Sequence, residues 1–389
     1  MIESVGLACT GCGACIASCP KLCISMKEHG LGHMYPAVDT EICIRCGACR
    51  RACHAVKPFE QATFEGRAFA VQANDRRILA ESSSGGVFSL LAEDMLHSGG
   101  VVYGSRWSRG RGAVHARAAS FREFSVLRRS KYVHSNTTRI FESVRDDLEA
   151  GLRVLFSGTP CQIAALRAFL GGDREGLVVI DLVCHGAPSS GFFEGYLRWF
   201  EEEAGKSLVE YNSRDKNVAG WSCLGSYRTE AGPISIIPVD DPYVLTFSQG
   251  ATFRECCYAC PYAGAKRVGD VTLGDFWGVE RLHLEVDLDG GISVVLVSTE
   301  KGMRMLERAC EGSAFVEEVR FEDAARSNAN LTSPSSLPPE REQLVEAYAV
   351  GGFAAVAMLA SRLYKTEILK NRIKRAVPTS IKRVVKGVL

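Results

Sequence analysis

From about residue 65 onward, apolar positions come in runs that switch between strand-like and helix-like spacing. AFAVQA (68–73), VVYGSRW (101–107), RVLFSG (153–158), LVVIDLV (177–183) and GISVVLVST (291–299) predict strands. Between them, VFSLLAEDMLHS (87–98), IAALRAFL (163–170), GFFEGYLRWFEEEAG (191–205) and KGMRMLERAC (301–310) carry the helical period. Gly99-Gly100 and Gly171-Gly172 stand as stop signals. Thr159-Pro160-Cys161-Gln162 reads as a turn between a strand and a helix. Repeated strand-then-helix order predicts a mixed α/β domain, with functional loops at the C-terminal ends of its strands.

The first sixty residues follow a different pattern, set by cysteine. Of sixteen cysteines in 389 residues, nine lie in the first 53. Cys9, Cys12, Cys15 and Cys19 read C-x2-C-x2-C-x3-C-P; Cys43, Cys46, Cys49 and Cys53 repeat the spacing 34 residues later, with His54 in the proline's place. CTGCGAC and CIRCGAC show the duplication directly. In two-cluster ferredoxins the fourth cysteine of each run ligates the other cluster. That rule assigns Cys9, Cys12, Cys15 and Cys53 to one [4Fe-4S] cluster, and Cys43, Cys46, Cys49 and Cys19 to the second. Zinc is the alternative, but zinc pairs of C-x2-C have no use for a third cysteine three residues on. Cys23 is left over and reads as a small buried hydrophobe.

Cys161 and Cys184 each follow a predicted strand, and Cys257-Tyr258-Ala259-Cys260 supplies one further C-x2-C. These four are either a third cluster site or core cysteines. Ser82-Ser83-Ser84-Gly85-Gly86 opens a helix, as a phosphate-binding loop or a plain cap. No G-x-G-x-x-G stands between a strand and a helix, and Gly205-Lys206-Ser207 lacks the first glycine of a phosphate loop.

Charge narrows the options further. Forty-six Lys and Arg against 45 Asp and Glu give a net charge of +1, which offers no global basic field for nucleic acid. No stretch of about 18 apolar residues occurs, and Met1-Ile2-Glu3-Ser4 has no signal-peptide character. These features predict a cytoplasmic protein. After residue 325 comes SNANLTSPSSLPPEREQ (327–343), a polar linker, then AYAVGGFAAVAMLAS (347–361), uncharged. Lys365–Leu389 holds eight basic residues against Glu367. Such a tail either caps the domain or makes peripheral contact with the inner face of an anionic membrane.

SSSGGVFSLL, RRSKYVHSNT, VLFSGTPCQIAAL, DLVCHGAP and CYACPY followed by GDVTLGDFWG occur in this order. With these motifs the chain resembles the beta-subunit family of coenzyme F420 hydrogenases and dehydrogenases, over most of residues 1–280. The resemblance implies a bacterial-type 2[4Fe-4S] ferredoxin domain at 1–64, an FAD- and [4Fe-4S]-binding α/β domain at 65–325, and an extension at 326–389. It implies that Ser83, Ser84, Gly85 and Gly86 lie on the FAD and that Cys161, Cys184, Cys257 and Cys260 hold a third cluster. Lys131 stands near the flavin or an anionic substrate, or is a surface lysine. His185 relays a proton or bonds cluster sulfur. Asp270 and Asp275 are turn formers or cofactor contacts.

The expected function is an oxidoreductase joining a one-electron carrier such as ferredoxin to a small-molecule two-electron substrate. With such an extension the chain also resembles bacterial members, some of them associated with surface-polysaccharide synthesis. The alternatives are a coenzyme F420 oxidoreductase and a non-catalytic electron-transfer subunit of a larger complex.

Overall fold

The computed structural model describes residues 1–58, 66–108, 112–230 and 232–376. The expected boundary at 64/65 and the end of the basic tail lie outside them. The β-branched runs of the sequence assemble into one nine-stranded mixed sheet. At its centre Val101–Trp107, Val154–Ser157, Leu177–Leu182 and Val271–Asp275 run parallel. Ser293–Val297, Arg67–Ala73 and Ala314–Val319 extend one side antiparallel. Ala113–Ala118, antiparallel to its neighbour, and Ser135–Asn136 complete the other side.

Strand alternation sends successive side chains to opposite faces, and both faces are covered, as parallel strands require. Val102, Leu155 and Ile180 pack with the helices Val87–His97 and Glu300–Cys310. Val101, Val154, Phe156 and Val179 pack with Ile140–Glu149 and Pro160–Leu170. All seven are buried to within 3% of full enclosure. At about 1.5–3 kcal/mol for each large apolar side chain, these two layers are what hold the strand ends in register.

The N-terminal module is small and visibly duplicated. The helices Ala14–Ala17 and Ala48–Arg51 each start from a left-handed glycine, Gly13 at φ 76° and Gly47 at φ 73°. A hairpin of Ile24–His29 with His33–Val38 joins the two halves. The module is bolted to the sheet domain through backbone carbonyls. Arg254 donates to Cys9 O and Met34 O and lies over the Tyr35 ring; Thr137 Oγ1 donates to Cys12 O (2.7 Å); Ser189 Oγ donates to Leu31 O (2.5 Å).

Two expectations change. Thr159–Gln162 is not a free turn: the helix Pro160–Leu170 starts there, with Thr159 as N-cap, proline in its first turn and a capping box closed by Gln162. The segment at 327–343 is not a bare linker, since Leu331 and Arg341 are buried. Beyond it, Arg341–Leu363 is a helix kinked at Gly351–Gly352, long and apolar enough by length and composition to cross a membrane. Phe353 and Val356 on it pack against Phe192, Tyr196 and Trp199 of the helix Ser190–Ala204.

Candidate functional site

Cys9, Cys12, Cys15 and Cys53 line one small pocket together with Thr10, Gly13 and His54. Burial raises the Cys15 thiol, and neighbouring Cys12, Cys9 and Cys53 raise it further. Burial likewise pushes Cys12 up to about 11, with Cys9 and Cys53 contributing. Cys49 is raised by burial and then by Cys19, Cys43 and Cys46, so those four share the second neighbourhood. Cys53 feels both Cys9 and Cys49, which sets the two quartets side by side. Thiols raised in this way release protons when a metal cluster binds them.

Cys161 sits in the first turn of the helix Pro160–Leu170, after the strand Val154–Ser157; Cys184 follows the strand Leu177–Leu182. Both therefore lie at the C-terminal ends of parallel strands. Cys257 and Cys260 come from the short turn at Glu255–Ala259 and the residue after it. Burial raises Cys161, with Cys260, Cys184 and Cys257 adding to the rise. Burial pushes Cys184 up to about 12, with Cys257 and Cys260 again as neighbours. Cys257 is lowered to about 7, first by a hydrogen bond from Cys256. Cys256 thus stands beside this quartet as a hydrogen-bond partner, and Cys310 is buried in the core. Among the described residues, no three His, Cys, Asp or Glu side chains are arranged for a single metal ion. A cubane holds its thiolates at separated corners, and the donor set here is all thiol, which suits iron–sulfur clusters.

The third quartet abuts a cavity of about 660 Å³. Cys184, His185, Gly186 and Ala187 form part of its wall, and Ser82, Ser83, Ser84 and Gly86 another part. Gly85 is required by close approach: a Cβ there would meet Val71 O at 2.2 Å and Ser293 N at 2.6 Å. The loop is held by Ser130 N donating to Ser83 Oγ (2.9 Å), Gly85 N donating to Ser293 Oγ (3.0 Å) and Ser84 Oγ donating to Ile292 O (2.9 Å). Gly86, at φ 85°, starts the 11-residue helix Val87–His97, whose first N–H groups lack helical partners.

Lys131 lines the cavity, but its Nζ donates to the carbonyls of Val126, Leu127, Arg128 and Arg129 at 2.6–3.3 Å. Burial, with Arg129 nearby, pushes it down to about 7. His185 lies edge-on to Phe247 and Phe253, and burial pushes it down to about 4. It is therefore neutral at pH 7, able to donate or accept one hydrogen bond but carrying no charge. Asp270 is buried among Val179 N, Arg167 and Thr299 Oγ1, away from the cavity lining. Asp275 reaches the cavity and holds Arg214 and Trp221 Nε1.

Several further residues line the cavity or support its wall. His115 Nε2 donates to Ser157 O (2.9 Å), so its Nδ1 accepts from Ser135 Oγ (2.6 Å), and Gln162 Nε2 donates to Ser135 O (3.0 Å). Arg214, Trp277 and Cys223 line the opposite wall. Ser327, Asn328, Asn330 and Ser335 of the proline-containing segment close one side, with Ser335 Oγ donating to His185 O (2.6 Å).

Residues 151–320 match the family described as the C-terminal part of the coenzyme F420 hydrogenase/dehydrogenase beta chain. Residues 8–56 match the 4Fe-4S dicluster domain. No curated protein matches the chain. Among solved structures, a chain of the F420-reducing [NiFe] hydrogenase complex from Methanosarcina barkeri is similar at 15% identity and a TM-score of 0.44, covering 80% of this chain and 95% of that one. The chain thus carries a 4Fe-4S dicluster domain at residues 8–56, ahead of a segment at residues 151–320 that matches the C-terminal part of the coenzyme F420 hydrogenase/dehydrogenase beta subunit.

Proposed function

We propose that the protein is an iron–sulfur flavoprotein oxidoreductase, exchanging electrons between a one-electron carrier and a two-electron substrate. One observation carries this reading: the cysteine quartets form a series, from the exposed Cys46 to the cavity wall at Cys184. Clusters hold single electrons, and the series leads from solvent to the one large cavity described above.

The cavity fits FAD by chemistry and size. The Ser83–Gly86 loop, the helix start at Gly86 and the guanidinium groups of Arg128, Arg129 and Arg214 suit a pyrophosphate; about 660 Å³ lies within the range of cofactor pockets. FAD, when bound, supplies the conversion between single electrons and a hydride equivalent. Ser83, Ser84, Gly85 and Gly86 bind it, and Cys161, Cys184, Cys257 and Cys260 hold the neighbouring cluster. His185, neutral and edge-on to Phe247 and Phe253, would help to orient the group and keep that wall dry. Lys131 acts on the cavity by fixing the turn at 126–129, which presents Arg128 and Arg129.

The carrier meets the Cys19–Cys43–Cys46–Cys49 end. Lys21, Arg45, Arg50 and Arg51 are exposed beside those cysteines, together with Leu22, Ile42 and Ile44 and two close acids, Asp39 and Glu41. A basic rim around an apolar patch suits an acidic carrier such as ferredoxin. We place the protein in the cytoplasm, with the helices Arg341–Leu363 and Lys365–Ala376 as the peripheral membrane contact.

Coenzyme F420 is the second reading for the substrate, favoured by the family that residues 151–320 match. The deciding experiment mixes the anaerobically purified, flavin- and iron-loaded protein with reduced F420. Stoichiometric bleaching of clusters and flavin makes the deazaflavin the substrate. No transfer, in protein that dithionite still reduces, removes it and turns the search to a biosynthetic intermediate, with surface-polysaccharide synthesis first. Absence of flavin in protein with full iron overturns the flavoprotein reading itself and leaves a non-catalytic electron-transfer subunit.

A further inference from the structure

The second cysteine run ends in Cys53-His54 where the first ends in Cys19-Pro20. That one departure builds a contact that a proline cannot make. His54 is buried, at 3% exposure, and both ring nitrogens are engaged. Its Nε2 lies 3.0 Å from Thr10 Oγ1, between Cys9 and Cys12, and its Nδ1 lies 2.5 Å from Tyr262 Oη. Tyr262 is buried at 2% and follows Cys260 by two residues. The His54 and Tyr262 rings are 5.5 Å apart, centre to centre.

Tyr262 belongs to both sides of this junction. It packs in one cluster of side chains with Ala14 and Cys12 from the ferredoxin-type module and with Cys161 and Cys260 from the sheet domain. Thr10 and His54 line the pocket of the Cys9, Cys12, Cys15 and Cys53 quartet. Cys53, Cys260 and the Thr10–His54–Tyr262 chain thus form an unbroken path of covalent bonds and buried hydrogen bonds between two quartets. The hydrogen bonds that Arg254, Thr137 and Ser189 make across the same junction end on backbone carbonyls instead.

We propose that the His54–Tyr262 bridge is the element that couples the Cys9–Cys12–Cys15–Cys53 cluster to the Cys161–Cys184–Cys257–Cys260 cluster for electron transfer. It rests on the three-cluster reading above. In the step, one electron leaves one cluster and arrives at the other. Histidine and tyrosine keep their protons and their closed shells, and no bond forms or breaks. A hydrogen-bonded chain is polarised along its length, and it replaces the through-space gap that two packed but unbonded rings would leave. His54 and Tyr262 are positioning residues: neither touches substrate.

The test uses the full chain with its clusters. Tyr262→Phe keeps the ring and removes only the hydroxyl, and His54→Pro restores the ferredoxin pattern. Iron is counted first, and about twelve atoms per chain are needed for three cubes; wild-type protein holding about eight overturns the three-cluster reading and the bridge with it. Rapid-freeze EPR after mixing with one equivalent of reduced methyl viologen then follows the spin from the ferredoxin-type signals to the third cluster. With Tyr262→Phe, migration slows about tenfold, a loss of about 1.4 kcal/mol at the barrier, while cluster potentials and the dipolar coupling between clusters stay at wild-type values. Migration at the wild-type rate in a Tyr262→Phe protein with full iron overturns the bridge and leaves the three clusters standing. So does slowing that comes with weakened dipolar coupling, which reports a structural prop. If His54→Pro fails to fold, Tyr262→Phe alone decides.

Discussion

Cys23 belongs to none of the three quartets, yet its Sγ lies 3.4 Å from that of Cys19 and it also bonds Cys43. It is buried, at 6% exposure, beside Ile2, Cys15 and Ile24. The sequence reading as a small buried hydrophobe captured its burial and missed its partners, because spacing rules name only ligands. An S–H donor aimed at a ligand sulfur stabilises the more negative, reduced cluster and raises its potential. Cys23→Ala therefore lowers the potential of the Cys19–Cys43–Cys46–Cys49 cluster, while Cys23→Ser recovers part of the shift. An EPR-monitored redox titration reads both; identical midpoints in all three proteins rule out the effect. His115 gives a prediction of a different kind. Burial pushes it down to about 4 from its ordinary 6.5. Below about pH 6.5 the unfolded chain takes up a proton that the folded one refuses. The stability that neutral His115 contributes is thus present above pH 6.5 and lost as pH falls towards 4, up to about 3 kcal/mol. The unfolding midpoint should fall between pH 7 and 4.5, and His115→Asn should flatten that slope.

At the scale of elements, the helix Pro160–Leu170 shows what a linear pattern reveals and what it hides. Its apolar run is periodic and its end at Gly171, φ 79°, is as marked as its stop signal. Its start was misplaced by three residues because proline suggested a turn, although proline is at home in a helix's first turn. The difference has chemical weight, because it moves Cys161 from a loop onto a rigid first turn. Thr159 caps that turn, and its Oγ1 lies 3.2 Å from Cys161 Sγ. Thr159→Ala should cost about 1 kcal/mol in a denaturant titration and release iron from the third site first, visible as loss of about four irons per chain with the ferredoxin-type signals intact. Full iron retention at a lowered midpoint would limit Thr159 to its cap. The segment at 327–343 was hidden for the opposite reason. Its serines, asparagines and prolines announce irregular backbone, and nothing in composition says that Asn328 and Ser335 close a cavity against Gly186 and His185. Arg214 and His115 are equally unreadable. Their neighbours in space lie scores of residues away, as in Arg214 with Asp275, and neither periodicity nor spacing encodes such pairs.

For the whole molecule the question is which end meets the carrier. The quartets are not equally placed: Cys46 is exposed, whereas Cys9, Cys12 and Cys53 are partly buried and Cys15 is buried, and the third quartet reaches the large cavity through Cys184. On the function proposed above, an exchange partner too large for the cavity would reach the chain at Cys46. Arg45 is the residue to change there, because it is exposed, stands beside Cys46 and makes no side-chain hydrogen bond or ion pair among the described residues, whereas Arg51 donates to Cys46 O (2.9 Å) and Arg50 bonds Ser4 Oγ (2.9 Å). Steering by surface charge acts on the association rate and fades as salt rises, since the screening length shrinks to about 8 Å at 0.15 M. Arg45→Glu should slow reduction by an acidic ferredoxin about tenfold at low salt, with the two proteins converging towards 0.5 M salt. Reduction by dithionite, a small ion that needs no docking face, should change far less. Equal sensitivity to both reductants would mean that the mutation disturbs the cluster and not the approach to it. Equal rates with ferredoxin at every ionic strength would move the docking site away from Cys46 and leave the basic rim as solvated surface.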